Sequence, residues 1–204
     1  MIRFIYRMYD KICKKIFFHL SHHLTIFYFK NNGVIWKNFT SIGVPLFDIK
    51  ESSVVKFGSD LVMVNKDKFA TLGKNNRCKF VVAENARLII GDKVAMSNST
   101  IVATKEIILG NNIMIGGGVT IVDSDFHSLN PDYWHTSKDE ANMKCAAVTI
   151  RDNVFIGMDS IILKGVTIGS NSVIAAGSVV SRDIPSNQIW GGNPAKFIRL
   201  NNLI

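Results

Sequence analysis

Histidine is the side chain whose ordinary titration range suits proton transfer near neutrality, and this chain has five. His19, His22 and His23 share one face of a segment with helical spacing. His127 and His135 fall together in a stretch, Ser124 to Ala147, that also carries Pro131, Tyr133 and Trp134. Asp123 and Asp125 stand just before His127. Either carboxylate could hold an imidazole in one tautomer, accept a ligand hydroxyl, or only stabilise its own turn. Gly116-Gly117-Gly118 would let a ligand approach the backbone closely, or would fill a tight corner. A three-histidine cluster without carboxylate or cysteine is a weak basis for a metal site, and no metal is expected. No Ser-His-Asp or Cys-His nucleophile pattern is visible.

These groups interrupt a regular scaffold. Ile150, Ile156, Ile162, Ile168, Ile174 and Val180 follow one another at intervals of six. The fifth position of each step is small or β-branched: Val154, Ser160, Val166, Ser172 and Ser178, with Ile184 closing the series. A helix repeats at 3.6 and a strand at 2, so a strict six describes a coil with one short strand and one turn per step. One step cannot bury its apolar face alone, so both positions must point inward against stacked neighbours. Gly, Asn and Asp fill the corners because they tolerate left-handed backbone. Upstream, Ile42-Gly43, Phe57-Gly58, Leu72-Gly73, Ile90-Gly91 and Leu109-Gly110 repeat more loosely, at 15, 15, 18 and 19 residues. Three hexads make one triangular coil. The expected organisation is a basic, aromatic segment over 1–40, a solenoid over 41–185 with a loop over 124–147, and a tail over 186–204. A long loop leaving such a scaffold is usually functional.

The apolar share of 47% excludes a disordered chain. Cys13, Cys78 and Cys145 are widely spaced and odd in number, which reads as reduced thiols in a cytoplasmic protein. The net charge of +8 is concentrated early: residues 1–40 hold Arg3, Arg7, Lys11, Lys14, Lys15, Lys30 and Lys37 against Asp10. No nucleic-acid motif accompanies this charge, and no nucleic-acid partner is expected. Ile5, Met8, Ile12, Ile16, Leu20 and Leu24 predict a helix in the first thirty residues. It lacks the apolar run of a membrane span and the pattern of a signal peptide. Two readings stay open: a helix capping the solenoid, and an interfacial helix resting peripherally on the inner face of the membrane.

The hexads, Asp123-Ser-Asp-Phe-His127 and the ending Gly191-Gly-Asn-Pro-Ala-Lys196 resemble the hexapeptide-repeat acyltransferases. Within them the chain is most similar to the sugar O-acetyltransferases, of galactoside and maltose type and of capsule, O-antigen and exopolysaccharide synthesis. The resemblance spans roughly residues 91–200. It implies an all-β fold, a left-handed parallel β-helix with an inserted catalytic loop, an exception to the usual right-handed crossover. It also implies a homotrimer with sites between neighbouring coils, acetyl-CoA as cosubstrate and a sugar or saccharide acceptor.

Residue by residue, the resemblance makes His127 the general base, with Asp125 beside it. Gly116, Gly157, Met158 and Ala176 fall where the pantetheine arm runs. Phe155 stands where a tryptophan is common. Ser181 and Arg182 match a polar-basic pair after the last hexad. Pro194 bends the tail, and Lys196 and Arg199 match residues meeting the nucleotide phosphates. Asn98, Asp123 and Trp134 are the acceptor candidates, with Met96 in the closer register of the galactoside-type asparagine. Competing readings are an acyl-carrier-protein donor, an amino acceptor and a noncatalytic binding solenoid. A zinc carbonic anhydrase of this fold would need three converging histidines, and the solenoid part has two.

Overall fold

The computed structural model describes residues 2–65 and 77–202. Helix α1 (Ile2–Asn31) leads into a triangular left-handed β-helix. The first face stacks Ile35–Trp36, Val54–Phe57, Arg87–Ile90, Glu106–Leu109, Val148–Ile150 and Thr167–Ile168, all parallel. The second stacks Phe39–Ile42, Leu61–Val64, Val94–Ser97, Ile113–Ile115, Phe155–Ile156, Val173–Ile174 and Gln188–Gly191, and ends in antiparallel Lys196–Leu200. The third runs from Leu46–Ile49 through Lys79–Val82, Thr100–Ala103, Thr120–Val122 and Ile161–Ile162 to Val179–Val180.

Register confirms the hexad arithmetic. Ile150 pairs with Ile168, Ile156 with Ile174 and Ile162 with Val180. Residues 18 apart therefore lie one coil apart. All six aliphatic positions are fully buried, and so are the fifth positions. The serines there survive burial because each reaches a corner carbonyl. Ser160 donates to Ala175 at 3.1 Å, Ser172 to Pro185 at 2.9 Å and Ser178 to Ala175 at 2.6 Å. The corner between the first and second faces carries a ladder of asparagine amides, Asn112–Asn153–Asn171–Asn187, spaced 2.7 to 3.0 Å. All four have φ between 54° and 61°, the left-handed conformation that asparagine tolerates.

The looser upstream repeat does not keep one phase. Phe57, Ile90 and Leu109 end strands of the first face, whereas Ile42 ends one of the second. Leu72-Gly73 lies outside the described residues. The coil already begins at Ile35, and Gln188–Gly191 still stacks parallel on Val173–Ile174.

The last turns of α1 close the open end of the solenoid. Among the described side chains of this helix, Ser21, Thr25 and Phe29 are the buried ones. Phe29 sits within 4.9–5.5 Å, ring centre to ring centre, of Trp36, Phe39, Phe47 and Phe57. Gly33, at φ 62°, ends the helix, with Val34 N–H donating to Phe29 C=O at 3.0 Å and Gly33 N–H to Lys30 C=O at 3.3 Å. That is the pairing a left-handed glycine cap allows. Phe29→Ala should cost about 3–5 kcal/mol by opening a cavity under the cap. A denaturant titration showing a loss below about 1 kcal/mol would remove Phe29 as the plug.

Candidate active site

The loop leaves the corner between the third and first faces. Its base is zipped: Ser124 bridges Cys145 antiparallel, Asp125 N–H donates to Lys144 C=O at 3.1 Å, and Ala146 N–H to Asp123 C=O at 2.9 Å. Lys164, on the next coil, forms an ion pair with Asp125. Within the loop a 3₁₀ turn, Pro131–Tyr133, is capped by the Asn130 side chain. A short helix, α2 (Ser137–Ala141), is capped by Thr136, whose hydroxyl accepts from Lys138 N–H at 3.2 Å. Trp134 Nε1 donates to Ser128 C=O at 2.7 Å, which ties the turn to the residue after His127.

Helix α2 delivers Asp139 to His127. His127 Nδ1 lies 2.7 Å from Asp139 Oδ2, and Ser128 N–H donates to Asp139 Oδ1 at 2.7 Å. One carboxylate thus grips both the imidazole and the backbone beside it. The His127 side chain is 74% exposed while that of Asp139 is 16% exposed, so the ring is presented and its partner sheltered. The His127 hydrogen bond holds the Asp139 carboxyl below the usual carboxylate range, helped by Ser128 N–H and by the nearby charge of His127 and His135. An ionised carboxylate only accepts, so Nδ1 donates to it, and in the neutral imidazole Nε2 is the acceptor nitrogen. A cavity of about 310 Å³ is lined by His127, Trp134, His135 and Asp139. Phe126 and His135 have φ of 65° and 61°. Bulky residues adopt that region only where the surroundings impose it, and such positions cluster at functional sites.

The carboxylate hydrogen-bonded to His127 is that of Asp139; Asp125 forms its ion pair with Lys164 at the loop base. Asp123 is fully buried, and its carboxylate accepts from Thr104, Lys105 and Glu106 N–H at 2.7–2.8 Å. That anchors a corner and leaves it closed to an acceptor. Asn98 is 2% exposed, with φ 49°, inside a corner one coil before Gly116 and away from the His127 cavity. Trp134 does line that cavity, and so does His135, which reads from sequence as an ordinary loop residue.

Four of the cofactor candidates stack along the corner between the second and third faces. Gly116, Gly157-Met158 and Ala176 follow the strands Ile113–Ile115, Phe155–Ile156 and Val173–Ile174 in successive coils. A Cβ on Gly116 would meet Met158 N at 2.5 Å, and one on Gly157 would meet Ala176 Cα at 2.7 Å. Close coil stacking alone therefore requires these two glycines. The tail continues the edge: Val179 N–H donates to Gly192 C=O, and Ala195 N–H to Val179 C=O. This brings Pro194 and Lys196 alongside. Arg199 stands within Lys196–Leu200, opposite Ile189. Ser181 and Arg182 are exposed at the other end of Val179–Val180, at the corner from which the loop departs two coils earlier. The single chain thus holds its glycine edge and its His127 cavity at different corners of the prism.

The two thiols of the solenoid part, Cys78 and Cys145, are poor nucleophile candidates. Burial pushes the Cys78 thiol up to about 11, and Cys145 is raised by burial and by Asp123 and Asp125. Among the described residues, no group of three or more His, Cys, Asp or Glu side chains is arranged to hold a metal ion.

Residues 147–182 match the family described as bacterial transferase hexapeptide (six repeats). The galactoside O-acetyltransferase of Lactococcus lactis is 33% identical over 184 residues, 88% of this chain and 86% of that one. This chain belongs to the hexapeptide-repeat acetyltransferases. The galactoside O-acetyltransferase of Escherichia coli is 36% identical over 137 residues, covering 66% of this chain and 65% of that one. A solved hexapeptide-repeat-containing acetyltransferase from Vibrio cholerae is 32% identical with a TM-score of 0.52, over 56% of this chain and 63% of that one.

Proposed function

We propose that this acetyltransferase moves an acetyl group from acetyl-CoA to a hydroxyl of a sugar or saccharide, a precursor of a surface polysaccharide, with His127 as general base. The observation that carries it is the His127–Asp139 pair, which fixes one tautomer and leaves Nε2 as the proton acceptor. The acceptor oxygen bonds to the thioester carbonyl carbon as Nε2 takes the hydroxyl proton. Collapse of the adduct breaks the C–S bond, and the proton passes from Nε2 to the departing sulfur, giving free thiol and acetyl ester. Direct transfer needs no enzyme nucleophile, in keeping with the raised thiols of Cys78 and Cys145.

The donor lies along the edge of Gly116, Gly157, Met158, Ala176 and Pro194, with Lys196 and Arg199 toward its phosphates; Ser181 and Arg182, at the loop corner, reach it from the neighbouring subunit. Trp134 offers an apolar face to a sugar ring. Because edge and His127 sit at different corners of one chain, the working unit is a homotrimer in which the edge of one subunit meets the loop of the next. Its place is the cytoplasm, with peripheral contact at the inner face of the membrane through residues 1–30.

The test is release of free thiol from acetyl-CoA in the presence of galactosides, other sugars and amino sugars. Release that depends on a hydroxyl acceptor and yields an acetyl ester is the expected result. Faster release with an amine, giving an amide, would replace the hydroxyl acceptor, and activity only with an acylated carrier protein would replace the donor.

A further inference from the structure

The apolar stripe of α1 lies largely on the side away from the solenoid; Ile16 and Leu20 also border an open groove of about 590 Å³ against Phe39, Thr40 and Ser41. The capping face is Ser21, Thr25 and Phe29. Tyr9, Ile12, Ile16, Leu20, Leu24 and Phe27, spaced by three and four, lie on the opposite side of the same helix and are 49–66% exposed. Arg3, Arg7, Lys11, Lys14 and Lys15 sit on the side opposite the stripe. The one acidic residue among them, Asp10, pairs with Lys14 at 2.6 Å. The helix therefore has a wide bare apolar face and a basic polar face, and the capping residues occupy only its last turns. No helix among the described residues is long and apolar enough to cross a membrane.

We infer that α1 lies in the surface of an anionic bilayer leaflet, its stripe sunk among the acyl chains and its basic residues at the headgroups. The charge decides between occupants. An acidic surface complements five basic residues, whereas the same helix of a second copy brings five more of the same sign. This sharpens the peripheral contact proposed above and rests on that part of the reading alone; acetyl transfer stands without it.

The experiment is sedimentation of the full chain with vesicles of phosphatidylcholine alone and with phosphatidylglycerol added, at low and high salt. Binding is expected to the anionic vesicles only and to weaken with salt. Ile12→Glu/Ile16→Glu should weaken it on the order of a hundredfold, since both side chains leave the apolar layer. Arg7→Gln/Lys11→Gln should weaken it about 25-fold, at about fivefold per basic residue. All four positions are exposed, so folding should be kept; the melting temperature and thiol release with a soluble acceptor, read without vesicles, should match the parent. Equal binding to neutral vesicles, no binding to anionic ones, or unchanged binding by the glutamate variant would overturn the inference. So would a smaller particle mass or lost acetyl transfer in the glutamate variant without lipid, because the stripe would then be covered by another copy of the chain.

Discussion

His127→Ala is expected to lower kcat by about 10²–10⁴-fold, the usual cost of removing a general base. The KM for acetyl-CoA should stay close to that of the parent, because the proposed donor edge lies at another corner of the prism and does not include His127. The stability should also hold, since the ring is largely exposed and its removal frees Asp139 to water. A loss below tenfold would mean that some other group takes the hydroxyl proton, with His135 in the same cavity the next to test.

Asp139→Asn is the second large effect. The carboxylate holds the imidazole through Oδ2 and the Ser128 amide through Oδ1. An amide can present its own N–H to Nδ1 and so favour the wrong tautomer. The expected loss in kcat is about 10²-fold, with the KM for acetyl-CoA unchanged. Asp139 acts through His127, so a second readout separates positioning from general damage. Its carboxyl is held below its ordinary value by the His127 hydrogen bond and the Ser128 amide. A depressed carboxylate contributes stability that is present above its unfolded value and lost as the pH falls toward the folded one. Protection from hydrogen exchange over 127–140, taken relative to each amide's intrinsic rate, should therefore be high at neutral pH in the parent and fall in acid below the usual carboxylate range. In Asp139→Asn the protection should be low at every pH. Equal protection in the two proteins at neutral pH would show that the carboxylate does not hold the loop.

The C-terminal half of the fold is legible in the chain because burial selects it. Every inward position from Ile150 to Ile184 must be aliphatic or small, so the period of six appears without interruption. The N-terminal coils are less legible because their corners vary in length, which lets Ile42 and Phe57 end strands on different faces while both precede a glycine. His127 was visible as a histidine at the exit of a long loop. Its partner was not. The neighbouring acids Asp123 and Asp125 are taken up by backbone amides and by Lys164, contacts between coils that no local spacing reveals. Asp139 reaches His127 only because the loop folds back through two short capped turns. Thr136 followed at the third residue by Asp139 is the one local sign, a helix start with an acid in its first turn. The helical spacing of the α1 stripe is plain in the chain, but its direction is not: the residues that cap the solenoid are Ser21, Thr25 and Phe29, and most of the larger apolar set looks outward.

The measurement that bears most directly on the acetyltransferase reading is calorimetric titration of acetyl-CoA into the parent, His127→Ala and Lys196→Ala/Arg199→Ala. The prediction is binding by the parent, equal binding by the histidine variant, and affinity lower by about tenfold or more in the basic-pair variant, where charge-assisted contacts to phosphate are lost. No heat from the parent at millimolar acetyl-CoA would contradict the account and leave a carrier-protein donor or a noncatalytic solenoid in its place.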